Sequence, residues 1–208
     1  MKVNERFKNK LLVEGNDDHH VILALCEKFQ INENFDIIDC EGIEKLYEQI
    51  PVRAKQLGIE TLGIILDADT DIVNRWASMV NLLTILGFPM PQTIPKEGLI
   101  LSRKDKVKIG IWIMPNNDLG GMLEDFLTFM VPEEDRLLPV INSTMTHLEN
   151  KGINKYSLIH KSKATIHSWL ALQESPGTPM GLSITKRYLT TDNETCTKLI
   201  DWLRMLYT

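Results

Sequence analysis

Acidic side chains follow two apolar segments of this sequence, and their spacing suits metal chemistry. Glu14 comes directly after the apolar run that begins at Leu11, and Asp67 and Asp69 end the run LGIILDAD. If both runs are parallel strands, the three carboxylates reach the same edge of the sheet. Residues two apart in an extended segment face the same side, so Asp67 and Asp69 are expected to approach one ion together. Clustered carboxylates repel each other and favour a cation, and oxygen ligands favour Mg²⁺ or Mn²⁺.

Each of these motifs also has an ordinary structural interpretation. A single DxD at the end of a strand is commonly a helix N-cap beside a solvated carboxylate, and Glu-Gly is common in turns. The occurrence of both motifs on separate strands of one α/β domain is what favours a functional site, because ligands bind where the carboxyl ends of parallel strands meet.

The elements that must position these carboxylates follow from the pattern of apolar residues. Three strand–helix units are predicted, with strands at 11–15, 35–39 and 62–69 and helices at 20–29, 43–54 and 73–83. Asp17 is expected to cap the first helix, and the apolar stripe of the third helix is expected to include Val73 and Trp76. Repeated units of this kind predict a parallel sheet with right-handed crossovers and helices on both faces.

The second half of the chain departs from this repeat. A β-hairpin insertion is predicted from strands at 99–102 and 107–114, because a charged bend separates two apolar runs. Helices are predicted at 122–130, 132–147, 164–173 and 194–206. The predicted fold is one α/β domain over residues 1–208, with a mostly parallel central sheet in a core at about 8–131. A C-terminal helical extension at about 132–208 is expected to pack on that core.

Two of the motifs resemble a known family. VEGNDDHHVI, in which Asp18 follows Glu14 by four residues, and ILDADTD together resemble the Toprim domain of topoisomerases, bacterial primases and OLD-type nucleases. Primases carry a glycine pair after the DxD and this chain does not, so the segment around Asp71 resembles the OLD-type branch. GGMLEDFL resembles the late acidic motif of that branch and would place Glu124 at the site. Residues 161–181 resemble the C-terminal part of small stand-alone bacterial proteins of this branch, so a Toprim-like, Rossmann-like fold is expected.

The resemblance implies metal-assisted cleavage of phosphodiester bonds by a Mg²⁺- or Mn²⁺-dependent endonuclease. It gives Glu14, Asp67 and Asp69 as catalytic ligands of one or two ions, with Asp18 and Glu124 as further ligands. Ions held there could polarise a phosphate and stabilise the attacking and leaving oxygens.

The resemblance also implies a lysine that stabilises charge on the phosphate. Lys163 matches it best and Lys161 is the alternative, although both are also ordinary at a solvated helix start. Asp17, Asp71 and Asp125 are interpreted as helix caps or as groups behind the ligands. His19 and His20 are candidate bases, of which at most one can face the site because adjacent residues lie on different sides of a helix, and the polarity of a helix start explains them equally well.

Charge is distributed unevenly along the chain. The net charge is −5, but residues 151–208 hold eight Lys and Arg against four Asp and Glu. The basic tip of the predicted hairpin is a candidate binding site for a DNA or RNA backbone. It is equally well explained as a solvated strand edge that resists aggregation. The predicted nucleic-acid contacts are Arg103, Lys104, Lys106 and Lys161, with Lys108 close to the tip.

The composition excludes several other classes of protein. Cys26, Cys40 and Cys196 lie far apart without a CxxC pair, which predicts reduced thiols rather than disulfides or a thiolate zinc site. No apolar run approaches the roughly 20 residues of a membrane span, and the first ten residues lack the apolar core of a signal peptide. A cytoplasmic protein that does not contact membranes is therefore expected.

The function predicted from these features is a nuclease that works with a partner. Full OLD nucleases join this domain to an ABC-type ATPase, but no GxxxxGK[ST] loop is present here, so an ATPase chain would act in trans. This implies a role in prokaryotic anti-phage defence or genome maintenance, with a homo-oligomer as a further possibility. Two alternatives stay open, a non-catalytic interaction module of the same fold and a primase-like nucleotidyl transferase.

Overall fold

The structure is a computed structural model that describes residues 5–104 and 106–208. Its centre is a five-stranded sheet in the order β2-β1-β3-β5-β4, in which only β4 runs antiparallel to its neighbour. The strands are β1 (Asn9–Val13), β2 (Phe35–Asp39), β3 (Thr61–Asp67), β4 (Leu99–Arg103) and β5 (Lys106–Met114). The predicted fold class is confirmed, because a mostly parallel sheet carries the expected hairpin and flanking helices, an architecture consistent with a Toprim-like fold.

Helices cover both faces of this sheet. They are α1 (Asn16–Lys28), α2 (Ile43–Lys55), α3 (Ile72–Ile85), α4 (Leu123–Thr128), α5 (Leu137–Asn150), α6 (Lys161–Ala171), α7 (Met180–Thr185) and α8 (Glu194–Leu206), with a 3₁₀ turn at Leu158–His160 before α6. Helices α2 and α3 bury their apolar sides on one face, and the remaining helices pack on the other. Among the described residues, no helix is long and apolar enough to cross a membrane.

The strands were predictable because both faces of the sheet are buried. In β1, Leu11 and Val13 contribute to the core under α1 and α8, while Leu12 points into the core under α2 and α3. Parallel strands covered on both faces therefore appear in a sequence as continuous apolar runs rather than as an alternating pattern. The four tryptophans are also buried, as expected, and the three cysteines are buried and free.

The first helix begins earlier than predicted. Helix α1 starts at Asn16, its N-cap is Gly15, and the Asp18 carboxylate accepts the N–H of Gly15 at 3.0 Å. The expectation that Asp17 caps this helix is wrong, because the capping contact comes from the residue after it. In α3, Asp71 is the N-cap and Val73 is exposed, so the buried stripe of that helix begins at Trp76.

Two features of the C-terminal half also differ from the prediction. Helix α5 begins at Leu137 rather than Pro132, because the Asp135 carboxylate accepts the backbone N–H groups of Leu137 and Leu138. The short helix α7 was not predicted at all. It lies against α1 so closely that a Cβ at Gly181 would come within 2.5 Å of the carbonyl oxygen of His20. Glycine at 181 is therefore needed for this helix–helix contact.

The last helix packs directly on the middle of the sheet. Gly63 of β3 and Gly110 of β5 are neighbours in register, and both lie under α8. A Cβ at Gly110 would come within 2.5 Å of Leu206 Cδ2, and one at Gly63 within 2.4 Å of Tyr207 Oη. The Tyr207 hydroxyl donates to the carbonyl oxygen of Lys10 at 2.9 Å. The two glycines thus make room for the C-terminal helix.

This packing predicts a measurable coupling between Gly110 and Leu206. Gly110→Ala should cost about 1–3 kcal/mol of unfolding free energy through overpacking, and Leu206→Ala about 2–5 kcal/mol through a cavity. In the double variant the added methyl group occupies part of the vacated space, so the combined cost should be smaller than the sum. Urea denaturation of the four proteins measures this coupling, and strictly additive costs would contradict the packing.

Candidate functional site

Strands β1 and β3 end at the same edge of the sheet, and each delivers a carboxylate there. Glu14 follows β1 directly, and Asp67 is the last residue of β3. The Glu14 carboxylate accepts the backbone N–H of Asp67 at 3.1 Å. Because the two strands are adjacent and parallel, this hydrogen bond fixes Glu14 across the end of β3.

Two helix starts bring further carboxylates to this edge. Asp18 lies in the first turn of α1, and Glu124 lies in the first turn of α4; both are buried. The Asp67 carboxylate accepts the N–H of Leu123 at 3.0 Å, which ties the start of α4 to the end of β3. The result is one cavity of about 420 Å³ whose charged lining includes Glu14, Asp17, Asp18, Asp67, Asp69, Glu124 and Lys163.

Asp69 reaches this cavity by a different route from the one predicted. Strand β3 ends at Asp67, and Asp69 has a φ of 52°, so the alternation of an extended segment does not apply to this pair. The carbonyl oxygen of Asp69 accepts the N–H of Gly121 at 2.6 Å, and its carboxylate pairs with Arg75 of α3. The expected side-by-side arrangement on an extended strand is therefore wrong, although both carboxylates line the cavity.

Two cations balance part of this negative charge. Arg75 pairs with Asp69, and the half-exposed Lys163 lies with its Nζ 3.3 Å from a carboxylate oxygen of Glu124. Lys161, the alternative lysine, instead pairs with Glu149 of α5 at 2.7 Å. The structure thus places Lys163 rather than Lys161 among the carboxylates.

Sequence reasoning missed two groups at this site. Arg75 lies one turn into α3, four residues after the cap Asp71, and its basic side chain close behind the DxD was the available signal. His160 also lines the cavity, from the 3₁₀ turn before α6, and its Nδ1 lies 3.1 Å from Ser157 Oγ. Its position immediately before the two lysines was the only hint in the sequence.

The remaining polar candidates lie at the rim or elsewhere. Asp125 accepts the N–H of Met122 at 2.9 Å and so caps α4, as Asp71 caps α3. His19 faces a groove beside β2, where burial lowers its pKa, and His20 lies toward α7. Neither histidine is part of the lining of the carboxylate cavity.

The basic hairpin lies at the opposite edge of the sheet. Strand β5 begins at Lys106 and reaches the level of Asp67 only at Met114, roughly 26 Å further along an extended chain. Lys106 donates to the carbonyl oxygen of Leu86 at 2.6 Å, and Arg103 donates to that of Gly87 at 2.8 Å. These side chains satisfy the C-terminal carbonyl groups of α3.

The structure therefore does not bring the predicted contacts Arg103, Lys104 and Lys106 to the carboxylates. Lys108 behaves like Lys106, because its Nζ donates to the carbonyl oxygen of Leu206 at 2.7 Å near the end of α8. Asp105, at the tip itself, lies outside the described residues.

Burial makes it difficult for these carboxyl groups to ionise. Burial and then the charge of Glu14 raise the pKa of Asp18 to about 7. Burial also raises the pKa of Asp67 well above its ordinary value, and the neighbouring carboxylates add to this effect. The pKa of Glu14 is raised chiefly by burial, against the hydrogen bond from the N–H of Asp67. Without a cation, the cluster therefore retains protons near neutral pH.

One carboxylate oxygen of the cluster is not satisfied by the described residues. Asp18 is 6% exposed, and its Oδ1 has no hydrogen-bond partner among the described residues. A buried carboxylate oxygen without a partner is costly, and a proton or a bound cation would satisfy it. Within residues 5–104 and 106–208, no three Asp, Glu, His or Cys side chains already form a set of metal ligands. An ion would thus have to draw these carboxylates together by changes of rotamer.

The raised pKa of Asp18 predicts a pH-dependent effect of Asp18→Asn in a buffer that chelates metals. The folded-state pKa of about 7 exceeds the ordinary 3.8, so protonated Asp18 makes its full contribution to the stability of the native chain below about pH 4. This contribution is lost as the pH rises toward 7. Asn keeps the neutral form, so the variant should gain stability over the native chain from pH 4 to 7 and hold that gain at pH 8. Each pKa unit corresponds to about 1.4 kcal/mol.

Urea denaturation at pH 5 and pH 8 measures this difference. Asp17→Asn is the matched control, because Asp17 is exposed in the same helical turn, and it should change stability little at either pH. An equal gain in unfolding free energy for Asp18→Asn at pH 5 and pH 8 would contradict the raised pKa of Asp18.

Comparisons with known proteins identify the family to which this chain belongs. No curated protein matches the sequence. A solved structure, the "C-terminal region of the Xanthomonas campestris pv. campestris OLD protein phased with mercury", is similar at 11% identity over 96% of this chain and 95% of that chain, with a TM-score of 0.42. Residues 8–208 match the family described as "Protein of unknown function (DUF3226)". The match covers nearly the whole sequence, and the chain belongs to this family.

Proposed function

We propose that this protein is a nuclease that hydrolyses phosphodiester bonds of DNA or RNA with one or two Mg²⁺ or Mn²⁺ ions. The observation that carries the proposal is the Asp18 Oδ1 atom, which is buried without a partner among the described residues in a cavity of about 420 Å³ lined by five further carboxylates. Oxygen ligands of this kind suit hard divalent cations.

Apart from the exposed Asp17, the carboxylates of the cavity divide into two groups by their present partners. Asp69 and Glu124 each have a cationic partner, whereas Glu14, Asp18 and Asp67 are held by backbone N–H groups. The second group would hold a first ion, since its charge is the least compensated. Asp69 and Glu124 would complete its ligands or hold a second ion. A bound ion would polarise the phosphate and lower the pKa of a water molecule.

Lys163 has the position expected of a group that stabilises the transition state. Its Nζ is near the Glu124 carboxylate, and half of its side chain is open to solvent at the cavity mouth. If Glu124 held an ion, Lys163 would be free to contact a non-bridging phosphate oxygen. A cation that meets developing charge lowers the barrier more than it strengthens binding.

This arrangement favours a nuclease over the two alternatives. A non-catalytic module gains nothing from buried carboxylates that repel each other, because burial without a cation costs stability. A primase-like transferase would use the same cluster but also needs a nucleotide-binding element, for which the sequence shows no motif. Through the motif resemblance, the proposal includes an ABC-type ATPase partner in the cytoplasm of a prokaryote and a role in phage defence or genome maintenance.

A divalent ion should stabilise the folded protein. Millimolar Mn²⁺ or Mg²⁺ should raise the melting temperature by several degrees, because an ion that binds only the native state at 100 times its Kd adds about 2.7 kcal/mol. Asp67→Asn should abolish most of this shift. Asp201→Asn, on the exposed side of α8, is the control and should keep it. Equal shifts in both variants would place the ion elsewhere.

Cleavage should depend on the same residues. With Mn²⁺ the native chain should cut labelled oligonucleotides, whereas Asp67→Asn should be inactive while remaining folded. Lys163→Ala should lower kcat about 10²–10³-fold with a smaller change in KM, because one transition-state contact is lost. Lys104→Ala, at the far edge of the sheet, should cut normally. Residual cleavage that is the same for the native chain and Asp67→Asn would reveal a contaminating nuclease and contradict the proposal.

A further inference from the structure

A second cavity adjoins the carboxylate cavity and shares Asp69 and Met122 with it. Its volume is about 530 Å³, within the range of sites that bind small organic groups. The 3₁₀ turn and the start of α6 form the border between the two cavities. His160 and Lys163 face the carboxylates, whereas Ile159 and Lys161 line the second cavity. The second cavity is therefore the nearest neighbour of the carboxylate cavity on the side of α6.

The segment along this border is basic. Residues 150–173 contain four lysines and two histidines and no Asp or Glu. Two of these lysines lie at the two cavities, since Lys163 lines the carboxylate cavity and Lys161 lines the second cavity. Glu149 fixes the ammonium group of Lys161 at 2.7 Å, so that this lysine is held at the rim instead of extending into solvent. Such a strip suits a phosphate backbone.

The second cavity also carries apolar and uncharged polar groups. Leu158 is 72% exposed and Ile159 41% exposed, and both line the cavity, as do the hydroxyl groups of Ser162 and Thr165. Its two carboxylates are already engaged, since Asp69 pairs with Arg75 and Asp125 caps α4. A duplex bound through its phosphates would not use exposed aliphatic side chains, whereas the face of an unpaired base can remove such apolar surface from water.

We propose that the second cavity holds an unpaired nucleotide next to the scissile phosphate. Its base lies against Leu158 and Ile159, and its backbone follows the basic strip into the carboxylate cavity. The substrate class is therefore single-stranded nucleic acid or a frayed end. This inference rests on the proposed nuclease function and assigns substrate binding to the 158–165 segment rather than to the β4–β5 hairpin.

Fluorescence anisotropy with labelled 15-nucleotide probes tests the inference without cleavage. The probes are single-stranded DNA, single-stranded RNA and a DNA duplex, each measured in EDTA and in Ca²⁺. The native chain should bind a single strand at least about tenfold more tightly than the duplex, and the comparison of DNA with RNA identifies the sugar that is preferred. The double variant Leu158→Ser/Ile159→Ser should weaken single-strand binding about tenfold, because the base would lose the apolar surface that it covers.

A matched control and a variant that should gain affinity make the result specific. Leu172→Ser changes a side chain that is 59% exposed at the other end of α6 and should bind like the native chain. Leu158→Trp should bind a single strand more tightly, with quenching of its fluorescence, because an indole stacks on a base. Equal affinity for duplex and single strand, or equal losses in the Leu158→Ser/Ile159→Ser and Leu172→Ser variants, would overturn the inference.

The binding result is separable from the proposed function. If Mn²⁺-dependent cleavage is found but the Leu158 and Ile159 variants bind normally, the nuclease stands and the assignment of the second cavity fails. If single-strand binding depends on these residues but the ion neither stabilises the protein nor supports cleavage, the second cavity is a binding site and the proposed chemistry fails.

Discussion

The structure depends on one electrostatic constraint, the burial of several carboxyl groups at one end of a parallel sheet. Burial raises the pKa of Glu14, Asp18 and Asp67, and the mutual repulsion of the carboxylates adds to it. The backbone pays part of this cost through N–H groups at the ends of β1 and β3 and at the start of α4. Asp18 Oδ1 remains unsatisfied. A divalent cation would relieve both the repulsion and the missing contact.

The two cations at the site limit how much charge an ion must balance. Arg75 binds Asp69 from α3, and Lys163 approaches Glu124 from α6, so each comes from an element other than those that carry the carboxylates. Removing these helices would leave the negative charge unbalanced. Helices α3 and α6 therefore contribute to the charge balance of the candidate site as well as to the core.

The sequence was sufficient for features that depend on local pattern. Glu14 and Asp67 could be placed because each ends an apolar run, and runs buried on both faces reveal parallel strands. Asp69 could be assigned to the site from the sequence, but its backbone conformation could not be predicted. Its positive φ depends on a contact with Gly121, 52 residues away. Propensity does not reveal such a contact.

Features that depend on tertiary structure were not predictable in the same way. Lys106 and Arg103 appear in the sequence as a solvent-exposed basic tip, but they are directed to the carbonyl groups at the end of α3. His160 and Arg75 become neighbours of the carboxylates only when α6 and α3 pack against the sheet. The motif resemblance predicted the candidate ligands, whereas the balancing charges of Arg75 and Lys163 depend on how α3 and α6 pack.

The most direct test of the central claim is the number of protons released when the site binds an ion. Isothermal titration calorimetry of Mn²⁺ into the protein, in two buffers of different ionisation enthalpy, measures it at about pH 6 and about pH 8.5. Because Asp18 has a pKa of about 7, we expect about one proton or more to be released per ion at about pH 6 and fewer protons at about pH 8.5. Binding without proton release at the lower pH, or no binding at either pH, would contradict an ion site built from these buried carboxyl groups.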